Sequence, residues 1–280
     1  MANRWAFLNQ STVATASGQK LDAASLAKIA YVCEVQLNAD YGPECGGQDA
    51  SVRVVTSETV VDLAGGEKIY YFVDALPDAP GASAYHIPNA AYCAVTTCQD
   101  LFGPEGVSVD ASHELLEDAG NPGCNRSLDD GQGQEHEDEV CDPVEVQTYP
   151  IADTSGTPIH VSNFVLPSWK IPGSPGPYTF MAKHGIEGYV EPKGPFQSAK
   201  SEGGSGNYQL VFPSASAEMK QVFARGKTNP ESENPARAIV GFPRKRSKVF
   251  HWTSRVSRIL KRRANERAAT IPEETPPGAA

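Results

Sequence analysis

The stretch VSVDASHELLEDAGNP, residues 107–122, constrains this chain more than any other. It predicts a helix with one chemical face. His113 and Glu117 are four positions apart, so on a helix they project side by side and can grip one cation. Glu114 lies about 100° round the axis, where it can hold a water against that cation. The pattern H-E-x-x-E is the zinc-protease motif H-E-x-x-H with a carboxylate for the second histidine. Leu115 and Ala119, flanked by Leu116, lie on the other side and suit a core. Ser108 or Asp110 is expected to cap the start, Gly120 to take the left-handed position past the end, and Pro122 to stop the helix. The competing reading is an ordinary surface helix whose charges face water.

The chain has 280 residues, enough to bury a sizeable core. No stretch approaches ~18 consecutive apolar residues, and the first twenty lack the basic start and apolar core of a secretory signal. The six cysteines are Cys33, Cys45, Cys93, Cys98, Cys124 and Cys141. They allow three disulfides, with Cys124 and Cys141 placed to staple an acidic loop, but buried free thiols fit equally well. There is no C-x-x-C for a zinc knuckle, no G-x-S-x-G for a serine nucleophile and no phosphate-binding glycine loop.

Residues 21–38 read as a first helix, with Leu26, Ile29, Ala30, Cys33 and Leu37 at a period near 3.6. Residues 51–55, 69–73 and 90–98 read as strands, and 76–84 as turn. The third strand is expected beside the active helix as the edge on which substrate adds, by analogy with zinc proteases. Residues 129–139 read as a solvated acidic loop, denser in EVCDPVE, and 144–169 as a strand or hairpin turning at Thr154-Ser155-Gly156. Residues 170–196 are coil, 200–207 a flexible linker, and 209–223 a short element.

Charge is segregated. Net charge is −10, yet 11 of the 24 Lys/Arg and only 3 of the 34 Asp/Glu lie from residue 237 onward. Residues 244–270 predict a cationic helix with an apolar stripe of Trp252, Val256, Ile259 and Leu260. Its basic residues, Arg244 and Arg267 among them, suit nucleic-acid phosphate, an anionic membrane surface or a neighbouring protein. A helix docked on the chain's own acidic body is the plainer alternative.

A catalytic zinc takes three protein ligands and keeps one position for water. His113 and Glu117 supply two. Glu139 ranks first as the third and Asp142 second, with the other acid orienting the histidine. His136 competes as an imidazole but sits in the loosest part of the loop. So oxygen-rich a site also suits manganese, iron or calcium. Glu114 would act as general base, and Tyr149, His160 and Tyr85 are candidate oxyanion donors.

Three ordered blocks, SHELLEDAGNP, EVCDPVE and VSNFVLPSW, resemble a family of phage and bacterial proteins regarded as zincin-like metallopeptidases. The family reads S-H-E-φ-φ-E-x-x-x-D-P, then E-V-x-D, then V-S-(N/D)-F-V-x-P, where φ is apolar. The likeness spans about residues 84–170. It implies zinc held by His113, Glu117 and Glu139 or Asp142, Glu114 as catalytic base, and a peptide or protein substrate. It also implies a phage virion setting, beside the cytoplasmic one expected without a signal or membrane span. Asn121 stands where the family has aspartate, and the acidic insertion between the first two blocks is unusual. The expected class is therefore α+β. Residues 1–190 would form a zincin-like domain with a small mixed sheet, 191–240 a linker, and 241–280 the basic helix and tail. The alternative function is a non-catalytic virion protein on the same scaffold, its basic tail holding nucleic acid or a partner.

Overall fold

A computed structural model describes residues 3–47, 49–76, 79, 82–199, 207–213 and 220–223. The predicted basic helix and most of the linker lie outside these residues. The chain is mixed α/β, built on a five-stranded mixed sheet with few helices. The strands are β1 (Asn3–Asn9), β2 (Ala50–Val55), β3 (Glu67–Val73), β4 (Ala84–Ile87) and β5 (Ala90–Ala94), in the order β2-β1-β3-β5-β4. All neighbours are parallel except β4, which runs antiparallel to β5 at the edge. Parallel neighbours need a crossover, and α1 (Ala23–Val35) supplies the one from β1 to β2.

The sheet is apolar on both faces, so β3 reads as the unbroken run IYYFV rather than an alternation. Trp5, Phe7, Tyr70 and Phe72 face the main core with Leu26, Ile29, Ala30, Cys33 and Leu37 of α1. Ala6, Leu8, Val55, Ile69 and Tyr71 form a smaller cluster on the other face. The α1 stripe is the one its period predicts. Asp22 caps that helix, accepting the Ser25 N–H at 2.7 Å. The chain continues through a wider helical turn (Gln36–Tyr41) into the short α2 (Gly42–Cys45).

Helix α3 (Val107–Gly120) follows the sheet. The surface-helix reading fails here, because eleven of its 14 residues are buried. Its caps also differ from expectation. Gly106 is the N-cap and makes no side-chain bond. Ser108 instead donates to the His160 carbonyl at 2.7 Å, and Asp110 lies in the first turn facing Cys98. Gly120 is the last helical residue, and Asn121 caps the end with φ −135°. A Cβ on Gly120 would sit 2.8 Å from the Tyr41 hydroxyl, so close approach, not a left-handed backbone, calls for glycine.

Beyond α3, the supposed solvated loop contains a small hairpin, β6 (Ser127–Asp129) and β7 (Gln134–Glu137). Its carboxylates are not all solvated. Asp130 takes backbone N–H groups from Gln132 and Gln134, and buried Asp138 lies between Arg126 and Lys170. The predicted hairpin is β8 (Thr148–Ala152) with β9 (Pro158–Ser162), and Gly156 at φ 83° makes its turn. Within residues 170–196 a short helix, α3's neighbour in sequence order as α4 (Phe180–Lys183), inserts Phe180 and Met181 into the core. The element expected over 209–223 is a hairpin, β10 (Tyr208–Pro213) with β11 (Lys220–Phe223), and β10 pairs with β7. All six cysteines are free thiols. Among the described residues no helix is long and apolar enough to cross a membrane.

Phe164, from the third sequence block, is fully buried and packs on Tyr41 and Phe180 with ring centroids 5.3 and 5.0 Å away. Phe164→Ala should lower unfolding free energy by ~3–5 kcal/mol in urea titration. A loss below about 1 kcal/mol would show that this packing is not as described.

Candidate metal centre

Helix α3 is fixed to the sheet at both ends. Tyr70 on β3 donates to the Asp110 carbonyl at 3.0 Å. Asp118 accepts the Trp5 indole N–H at 2.7 Å and the Lys68 ammonium at 2.6 Å. Trp5 and Lys68 are register partners on β1 and β3, so one carboxylate ties both central strands to the helix. On another side, the Ser162 N–H donates to Ser112 Oγ at 2.7 Å, joining β9 to the helix. The charged row is thus held in place by contacts outside itself.

The sheet contributes its edge strand. In β4 the pairing sets Ala84 opposite Cys93 and His86 opposite Ala91, so Ala84 and His86 share a face. That face meets α3. Cys93 and Cys98 lie 3.9 and 3.3 Å from the Asp110 carboxylate, and His86 Nδ1 lies 2.9 Å from Glu114 Oε2. The edge strand beside α3 is therefore β4, and the stretch expected there, residues 90–98, forms the inner β5 and a following turn.

The sequence-predicted residues come together. His113 Nε2 lies 3.2 Å from Glu117 Oε1 and 3.3 Å from Asp142 Oδ1. Glu117 Oε1 also receives the Cys141 and Asp142 amides at 3.2 and 3.3 Å. The loop block EVCD is thereby clipped onto the helix. Glu139 is buried in the same place, with Oε2 3.9 Å from His86 Nε2. Ligand atoms of His113, Glu114 and Glu117 lie within 4.8 Å of one another, as do those of His86, Glu117 and Glu139.

The other candidates are engaged elsewhere. His136 pairs with Gln209 at 2.6 Å and packs on Phe196. Tyr149 donates to Asp40 at 2.7 Å, His160 bonds Thr148 at 2.9 Å, and Tyr85 stacks on Tyr92. The site includes residues the sequence did not single out. His86 comes from a four-residue strand between turns. Tyr208 of β10 hydrogen-bonds Asp142, and the Cys124 thiol flanks His86. Glu137 and Glu145 add half-buried carboxylates nearby.

Burial and charge act against each other here. Burial alone would lower both histidines, but Glu139 and Glu114 around His86, and Glu117 and Asp142 around His113, hold both well above the usual imidazole range. Burial, then the charge of Glu117, pushes Asp142 up to about 7 and Glu139 well above the carboxylate range. Glu117 is the exception. Despite burial, His113, His86 and the Cys141 amide hold it below the ordinary value. Unlike Asp142 and Glu139, it is held in its ionised form.

Comparison of the chain with protein-family models, curated proteins and solved structures gives no match to any of them.

Burial raises Asp110 to about 6 in the folded chain, against 3.8 for the free group. The folded state therefore binds more protons there than the unfolded one. This stabilisation is complete below about pH 4 and is lost as pH rises through 6. Asp110→Asn removes the titration, so the variant should gain stability relative to wild type between pH 4 and 7. Urea midpoints across that range read the difference; a constant difference would contradict the assignment.

Proposed function

We propose that this chain is a divalent-metal-dependent hydrolase, with peptide bonds as the leading substrate class and zinc as the leading metal. The observation that carries the reading is the convergence of His113, Glu117 and a loop carboxylate in a buried site whose charges lack lysine or arginine partners among the described residues. Buried charge is tolerated when paired or bound to metal, so these residues fit a cation. His113, Glu117 and Asp142 would hold it. The 3.3 Å approach to His113 favours Asp142 over Glu139 as the third donor.

A bound cation supplies Lewis-acid polarisation of a carbonyl and draws the pKa of a water toward ~7. Glu114 would take the proton of the attacking water and return it to the leaving amine. His86 orients that carboxylate through its Nδ1 contact at 2.9 Å. The Tyr208 phenol hydrogen-bonds Asp142 and would hold that carboxylate in position. Strand β4 ends the sheet, and an extended peptide could pair along its outer side. An antiparallel edge strand beside the helix that carries His113 and Glu117 also supports the zincin-like reading.

One observation favours a second reading. Glu114 Oε2 is already engaged by His86, as in a purely structural cluster. That version is a non-catalytic virion or scaffold protein that binds metal, its basic residues 244–267 holding nucleic acid, an anionic membrane or a partner.

Glu117→Ala should abolish metal binding by the purified full chain, measured by elemental analysis. Glu114→Gln should retain metal yet lose ~10²–10⁴-fold in cleavage of a peptide library. Metal retained with no Glu114-dependent cleavage would overturn the enzyme and leave the scaffold.

A further inference from the structure

We infer that the centre holds two divalent cations rather than one, bridged by Glu117, with the second seated between His86 and Glu139. The inference rests on the proposed first position at His113 and Glu117.

Glu117 faces two imidazoles with two different oxygens. Its Oε1 lies 3.2 Å from His113 Nε2, while its Oε2 lies 3.8 Å from His86 Nδ1. A carboxylate placed so can give one oxygen to each of two ions.

His86 has the arrangement of a metal-binding histidine. Its Nδ1 is held by Glu114 at 2.9 Å, so that nitrogen keeps its proton and Nε2 is the one a metal would take by displacing the other proton. Nε2 is buried and has no hydrogen-bond partner. Opposite it, Glu139 Oε2 is also buried and also without a partner. The two atoms lie 3.9 Å apart. That is too far for a hydrogen bond, yet it suits two ligands that each reach a shared ion at ~2.0–2.2 Å. One ring nitrogen of His86 and one carboxylate oxygen each of Glu117 and Glu139 all lie within 4.8 Å of one another.

Charge points the same way. Glu114, Glu117, Glu139 and Asp142 have only His86 and His113 as ion-pair partners among the described residues. If bound metal displaces the protons of Asp142 and Glu139 and leaves both imidazoles neutral, one dication covers only two of the four negative charges, and two dications balance them. A paired centre also widens the chemistry, because two ions can stabilise the attacking and leaving atoms separately.

The test is titration of the metal-stripped full-length chain with Mn2+, read by calorimetric stoichiometry and electron paramagnetic resonance. Two ions per chain with an exchange-coupled spectrum are expected. Glu139→Gln, which keeps the side-chain shape, should bind one ion with the spectrum of isolated Mn2+, and His86→Ala should do the same. Circular dichroism checks that the variants fold. If neither variant folds, the wild-type stoichiometry and coupling decide alone. One ion per chain in the wild type would overturn the pair and leave the single-ion reading standing. No ion at all would overturn both. Two ions retained in folded Glu139→Gln and His86→Ala would overturn the placement.

Discussion

A helix that turns its charged side inward must have something to meet it, and α3 meets His86 from β4 and the carboxylates of Glu139 and Asp142 from the following loop. Glu117 is only 4% exposed, yet its neighbours hold it ionised. One of its oxygens receives His113 and two backbone amides, and the other points to His86. An unpaired charge so deep would cost several kcal/mol. The path of the loop 139–142, the position of β4 and the placement of Tyr208 all follow from satisfying this row.

What keeps the row in register lies outside it. Asp118 joins the helix to Trp5 and Lys68, Tyr70 holds the Asp110 carbonyl, and Ser108 and Ser112 bond to β9. Lys68 also lies over the Trp5 ring, 5.3 Å from its centroid. A site supported by packed strands keeps its donor geometry without a ligand, which is the condition for binding metal with little reorganisation. The site's own side chains are buried, and low exposure makes each charge interaction count for more.

The sequence shows some of this clearly. The α1 stripe and the HELLE period are local patterns, so they were readable from spacing alone. The 148–162 hairpin announced itself through its Thr-Ser-Gly turn. Other parts depend on tertiary context. β4 has four residues, and AYHI carries no alternation that marks His86 as a site residue. β1 is a buried central strand, but its run NRWAFLN is short and mixed. Tyr208 reaches Asp142 only because β10 pairs with β7, a partnership across some seventy residues. The caps of α3 misled for a related reason: Ser108 and Asp110 have better partners in β9 and in the thiols than in the backbone. The spacing of EVCD named both loop acids correctly as neighbours of the helix, but their division between His113 and His86 is fixed by the fold.

The account stands on a cation within reach of His113 and Glu117. Anomalous diffraction from crystals grown with Zn2+, collected on both sides of the zinc edge, addresses it most directly. The account predicts a peak ~2.0–2.3 Å from His113 Nε2 and from a Glu117 oxygen. A crystal at saturating Zn2+ with no peak there, and with His113 still hydrogen-bonded to Glu117 and Asp142, would contradict it.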